Sequence, residues 1–353
     1  MTNNLRYAVA KARSILENEL VPKVPGFSIA VAEQNDIVWL QCYGFSDLNS
    51  RTAVQLSTRF RIGSVSKPFT AAALALLMER REIDIDESIQ TYLPDFPNKG
   101  AKITIRMLAG HLSGFRNYRR NEALSKTPYA CLRAGLKMFE NDPLESQPGS
   151  RFAYSSFNWN VIGAIIESAT QKSFFTFLHQ NILSPLKLDN TVPELAGSEN
   201  YNITKFYESA ETESGFVSAP AVDNSYKLPS GGLISTVEDM VRFGQAHFQP
   251  GLLRSQSLDL LFTSQMTSLG VSTGYGVGWN IQGDWAFHAG GAFGGTSILM
   301  LNRRFNVAAA ITCNCSWFLL LAAMSRSGIQ PKANRYFDIQ AIAYRVLGAF
   351  LGI

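Results

Sequence analysis

Ser64 and Lys67 stand three apart in Gly63-Ser64-Val65-Ser66-Lys67-Pro68, so on a helix they share a face. A serine hydroxyl is a poor nucleophile until a base takes its proton. A lysine in an apolar, desolvated setting has a lowered pKa and can be that base. A helix starting here would add N–H groups and a positive dipole end beside Ser64. Pro68 suits an early helical turn, where its missing N–H costs little. The same spacing recurs at Ser184-Pro185-Leu186-Lys187, but that copy leads into Leu188-Asp189-Asn190 and reads as a loop. Tyr154-Ser155-Ser156 precedes an apolar helical run. A phenol beside an ammonium group can be activated for proton transfer. His288-Ala289-Gly290-Gly291 ends a strand-like run, and glycines there let a substrate backbone approach closely. Each segment has a plainer reading: an N-cap serine with a surface lysine, a core tyrosine, and a strand-ending turn.

The elements that must position these residues follow from periodicity. The first twenty residues read as an amphipathic helix without the apolar core of a signal peptide, which makes the cytoplasm the expected compartment. Phe27–Ala32 and Ile37–Tyr43 flank Glu33-Gln34-Asn35-Asp36 and read as a hairpin. Arg59–Ile62 reads as a short third strand. Phe69–Arg80 is apolar on nearly all faces, which indicates a buried helix. Helical patterns also cover Thr104–Ala109, Pro128–Glu140, Asn158–Ser168, Phe174–Ile182 and Val237–His247. Gly274–Ile281, Trp285–His288, Thr296–Leu301 and Val307–Thr312 have the composition of strands, and Asp338–Leu351 is helical again. Strands at both ends with helices between them predict an α+β architecture. An antiparallel sheet from both chain ends would carry the terminal helices and a mostly helical insertion. The expected organisation is one catalytic domain over 1–353, with an α/β part from 1–66 plus 270–353 and a helical part over 67–269.

Composition excludes other classes. Of 353 residues, 46% are hydrophobic and 17% charged, so the chain can bury a core and is not disordered. A formal charge of +4 over this length is too weak to imply a nucleic-acid partner. The pairs Arg80-Arg81, Arg119-Arg120 and Arg303-Arg304 read as solvated surface. Trp317–Met324 is too short to span a bilayer. Cys42, Cys131, Cys313 and Cys315 make no disulfide framework, and His111, His179, His247 and His288 show no metal-ligand pairing. No metal or cofactor is expected.

Taken in order, Ser-x-x-Lys on a buried helix, Tyr-Ser-Ser, and His-x-Gly-Gly at a strand edge form a pattern. It resembles the serine β-lactamase and penicillin-binding-protein superfamily, whose signature is S-x-x-K, S-D-N and K-T-G. The match is to the class C β-lactamase and esterase-like group, which writes the second motif Tyr-x-Asn/Ser. It extends over Cys42-Tyr43-Gly44-Phe45-Ser46-Asp47, Arg59-Phe60-Arg61-Ile62, His111-Leu112-Ser113-Gly114-Phe115-Arg116, Pro148-Gly149, Ser184-Pro185-Leu186 and Pro229–Thr236, from about residue 5 to about residue 315. Ala219–Lys227, the segment from His111, and His288 are most similar to the mitochondrial β-lactamase-like serine protease branch and its bacterial relatives.

The resemblance implies roles. Ser64 would be the acylated nucleophile, with Lys67 as general base, alone or with Tyr154. Tyr154 would pass the proton to the leaving group and later help activate water. The N–H groups of Ser64 and Gly291 would form the oxyanion hole. Ser156, His288 and Gly290 would line the substrate cleft. Many relatives have Asn at Ser156 and Lys at His288. A histidine with an ordinary pKa is mostly neutral at pH 7. Both changes favour a small-molecule ester, amide or peptide without an obligatory carboxylate, unless Arg116 supplies the missing cation. The alternatives are a β-lactamase or D-Ala-D-Ala carboxypeptidase, an acyl-transferase, and a self-assembling scaffold. The scaffold reading rests on the resembled mitochondrial branch, which forms filaments, so homo-oligomers stay open. A Ser64, Asp223 or Asp239, His288 triad has the right chain order but lacks the Gly-x-Ser-x-Gly elbow. The sequence leaves open whether 196–223 acts as a lid.

Overall fold

A computed structural model describes residues 2–119, 121–195, 202–210, 212, 215–316 and 337–353. Seven antiparallel strands form the main sheet. Their order across it is Thr52–Ala53, Asp36–Asp47, Gly26–Glu33, Val307–Cys313, Gly295–Asn302, Trp285–Ala292 and Asn280–Gln282. The central pairing joins the two ends of the chain, with Ile29 opposite Ile311 and Ala30 opposite Ala310.

The three central strands are buried on both faces, and alternate residues face opposite layers. Phe27, Ile29, Val31, Ile298, Met300 and Ile311 face the terminal helices Asn3–Glu19 and Ile339–Leu351. Ala30, Ala32, Ala308 and Ala310 face the helical layer. Those small side chains let helix Val237–Gln245 lie close on the sheet. A Cβ on its Gly244 would stand 2.8 Å from a Leu301 methyl carbon. This helix falls inside the stretch expected to be the helical part, yet it packs directly on the strands. The terminal helices are tied by an Arg345–Glu19 ion pair, and Trp39 stacks on Phe350 at 6.0 Å.

The buried helix runs Ser66–Glu79, with every residue from Ser66 to Leu77 buried. It packs against the equally apolar helix Ser156–Thr170. Several expected elements are corrected. The short strand expected at Arg59–Ile62 is present at Phe60–Arg61, but outside the main sheet. It pairs with Leu233–Ser235, which pairs in turn with Val192–Pro193. Pro128–Glu140 keeps only a helical turn at Leu132–Gly135 and a 3-10 turn after it. Of Gly274–Ile281, only the end joins a strand, because Gly274 and Gly278 turn the chain with φ of +69° and +83°. A Cβ on Gly278 would lie 2.7 Å from the Ala71 Cβ, so that turn is pressed onto the buried helix.

The stretch 196–223 lies partly outside the described residues, as do 317–324 and Arg120. Within it, Tyr207–Ser209 pairs with Phe216–Ser218, and Tyr207 N donates to the Asn314 carbonyl at 3.0 Å. No helix among the described residues is long and apolar enough to cross a membrane.

Candidate active site

Gly63–Val65 forms a 3-10 turn that runs straight into the buried helix. Gly63 is required there twice. Its φ is +48°, and a Cβ would stand 2.8 and 2.9 Å from the carbonyl oxygen and nitrogen of Gly291. The turn and the strand edge therefore touch backbone to backbone. Ser64 N–H belongs to a first helical turn, where such groups have no intrahelical acceptor. The Ser64 turn and the Gly291 backbone are thus neighbours.

Ser64 Oγ is 2.9 Å from Lys67 Nζ and 2.9 Å from the Tyr154 hydroxyl. Lys67 is fully buried, and its Nζ also reaches the Ser230 carbonyl at 2.6 Å and Ser156 Oγ at 3.4 Å. The Ser230 turn is pinned from behind: Thr70 Oγ1 donates to the Pro229 carbonyl at 2.7 Å. On the other side of that turn, a Cβ on Gly163 would lie 2.1 Å from the Pro229 ring. Burial lowers the Lys67 pKa well below the ordinary lysine value, because no carboxylate offsets the loss of hydration.

Tyr154 keeps 36% of its surface exposed, yet its hydroxyl turns inward onto Ser64. Desolvation raises its pKa, and the Ser64 hydrogen bond opposes that rise. Both environments favour neutral groups. A neutral amine has one lone pair and two N–H donors. In the structure Lys67 Nζ donates to Ser64 Oγ, the Ser230 carbonyl and Ser156 Oγ, and as the free amine it has a lone pair to take the Ser64 proton. Tyr154 O–H then donates to Ser64 Oγ.

His288 is 2% exposed. Its Nδ1–H donates to the Ala289 carbonyl at 2.8 Å, which leaves Nε2 to accept from the Tyr275 hydroxyl at 3.0 Å. Burial pushes its pKa down to about 3. It is a neutral wall residue and supplies no cation. The Ser64, Asp, His triad does not assemble either. Asp239 accepts from Asn190 N and Thr191 Oγ1, and Asp223 accepts from Ser225 N, so among the described contacts neither reaches His288.

Two expected cleft residues lie elsewhere. Arg116 is corrected: its side chain is 3% exposed and is shared between Glu122 and Asp142, both at 2.6 Å. A guanidinium held by two carboxylates is not offered to a substrate. Gly290 is corrected as well. A Cβ on it would stand 2.0 Å from the Ile62 carbonyl oxygen and 2.3 Å from Ser297 Oγ. It lets the strand close on the Ser64 turn and faces away from the cleft. Ser156 stays beside Lys67, as the first residue of its helix, with its N–H donating to Asn117 Oδ1 at 3.1 Å.

Sequence reasoning missed three participants. His111 is fully buried with φ of +58°, stacks on the Tyr154 ring at 4.3 Å, and accepts the Ser155 N–H at Nδ1 from 3.1 Å. It thus holds both the ring and the backbone of the tyrosine segment. Tyr275 lies in the run misread as strand. The Ser230 carbonyl is a main-chain group, so no residue type signals it. Among the described residues, no group of three or more His, Cys, Asp or Glu side chains could hold a metal ion.

Comparison with known proteins shows the family and the fold. A family model described as Beta-lactamase matches residues 14–316. The human serine beta-lactamase-like protein LACTB, mitochondrial, is 27% identical over 376 residues, covering 78% of this chain and 68% of that protein. A D-amino acid amidase from Ochrobactrum anthropi superposes with a TM-score of 0.81 at 21% identity, over 98% of this chain and 99% of its own. An octameric penicillin-binding protein homologue from Pyrococcus abyssi superposes with a TM-score of 0.79 at 21% identity, over 98% of this chain and 77% of its own.

Proposed function

Because this chain belongs to the beta-lactamase family, a family of serine hydrolases, we propose that it is an acyl-hydrolase working through a covalent ester on Ser64. The observation that carries the reading is the position of Ser64 Oγ, 2.9 Å from both a buried, unpaired lysine nitrogen and an inward-turned phenol. Lys67 takes the Ser64 proton as Oγ attacks the substrate carbonyl carbon. The N–H groups of Ser64 and Gly291 stabilise the oxyanion. When the bond to the leaving group breaks, Tyr154 gives its proton to the departing oxygen or nitrogen and regains one from the Lys67 ammonium. Water then attacks the acyl-enzyme, the same groups receive its proton, and Ser64 leaves with a proton restored. The raised pKa of Tyr154 supports a proton donor at rest, which leaves Lys67 as the base.

A neutral His288 and a sequestered Arg116 favour esters or amides without an obligatory carboxylate. The test is intact-mass detection of an acetyl adduct, together with turnover, on p-nitrophenyl acetate. Ser64→Ala should lose the adduct and all turnover while keeping the thermal transition. Lys67→Ala should lose nearly all of both, since general bases contribute about 10²–10⁴-fold. Unchanged turnover in either variant removes the mechanism. Benzylpenicillin in the same assay decides the β-lactamase alternative: Ser64-dependent ring opening would establish it.

A further inference from the structure

The reading of Tyr154 as proton donor to the leaving group marks which wall that group must lie against, and the following rests on that reading. Tyr154 and Phe152 stand two apart, and both rings pack against His111. Both are exposed, at 36% and 39%. Beneath them is a layer of buried rings. His111 stacks on Tyr154 at 4.3 Å and meets Phe152 edge-on at 5.7 Å. Tyr275 lies 5.9 Å from Phe152 and 4.7 Å from His111, and its hydroxyl is bonded to His288.

The wall is neutral throughout. His288 carries its single proton on Nδ1, and His111 accepts at Nδ1, so neither is an imidazolium. Two buried basic side chains around the site are engaged. The Lys67 amine is taken up by Ser64 and the Ser230 carbonyl, and Arg116 by its two carboxylates. Arg151, next to Phe152, is exposed and donates one N–H to the Glu145 carbonyl at 3.3 Å, away from the rings of the wall. A carboxylate against this wall would give up hydration and gain no partner. An aromatic ring would gain two exposed faces.

We propose that Phe152 and Tyr154 form the leaving-group subsite, and that it takes uncharged aromatic alcohols or amines and rejects leaving groups bearing a carboxylate. The experiment compares kcat/KM for benzyl acetate, ethyl acetate and 4-(acetoxymethyl)benzoate, which share the acyl group and have alcohol leaving groups. The wild-type protein should prefer benzyl over ethyl acetate by about tenfold or more, and should disfavour the carboxylated benzyl ester by a similar factor. In Phe152→Ala the benzyl-to-ethyl ratio should fall toward unity, and in Phe152→Tyr it should be retained. The ratio is taken on one sample, so a partly unfolded variant does not distort it. Ester turnover that depends on Ser64 but shows equal ratios in wild type and Phe152→Ala overturns the subsite and leaves the acyl-hydrolase reading standing. A preference for the carboxylated ester also overturns the subsite. No Ser64-dependent turnover of any of the three overturns both.

Discussion

At the scale of single residues, the site works by removing charge. Desolvation drives Lys67 toward the amine, Tyr154 toward the phenol and His288 toward neutral imidazole. Each is then in the form its proposed role requires. A pH profile separates the contributions. Activity should rise as pH climbs through the lowered pKa of Lys67, because only the free amine accepts the Ser64 proton. His288, with a pKa of about 3, should add no step between pH 5.5 and 8. A rising limb centred on the ordinary lysine value of 10.5 would show that burial does not set the base.

At the scale of elements, the site depends on glycines that let backbones touch. The strand Trp285–Ala292 meets the Gly63 turn only because Gly290 has no side chain facing the Ile62 carbonyl. Gly290→Ala would place a methyl 2.0 Å from that oxygen, so the strand must move away. Overpacking of this kind costs about 1–3 kcal/mol. The same shift displaces Gly291 N–H from Ser64, and loss of one oxyanion donor costs about 10²–10³ in rate. A lowered melting temperature together with slowed acylation by p-nitrophenyl acetate is expected. Wild-type values for both would mean that the strand edge tolerates a side chain and does not set the donor's position.

At the scale of the whole molecule, buried histidines link the fold to pH. His288 and His247 have folded pKa values of about 3 and about 4 against an ordinary 6.5, both from burial. The unfolded chain therefore takes up these protons first as pH falls. Their contribution is fully present above 6.5 and is lost between there and the folded values, by about 1.4 kcal/mol per pH unit for each histidine. Urea unfolding should show stability falling from pH 6.5 toward pH 4. His111 is a third such ring, its pKa held well below the ordinary value by burial, so in His247→Leu, which removes one of the three protons, the fall should be shallower. A flat stability over that range would show that these rings titrate in the folded state. His247 is the better probe because it lies against Phe243, Phe262 and Trp279, inside the helical layer.

The neighbourhood of Ser64 and Lys67 was legible in the sequence because it is local, and Tyr154 could be added as a helix-entrance residue. Ser64 and Lys67 share one helical turn, and Tyr154 stands at the entrance of another. The sheet from both chain ends was legible too, since long apolar runs leave few other ways to bury two faces. Local pattern failed where a residue's fate depends on distant partners. Arg116 could be read as a free cation until Glu122 and Asp142 closed on it. His288 could be read as a titrating group until burial and Tyr275 held it neutral. Phe60–Arg61 joined a second sheet because its partner, Leu233–Ser235, lies far along the chain. Residue type and spacing state what a side chain can do. Desolvation and the identity of its neighbours set its charge and its reach, and both exist only once the chain has packed.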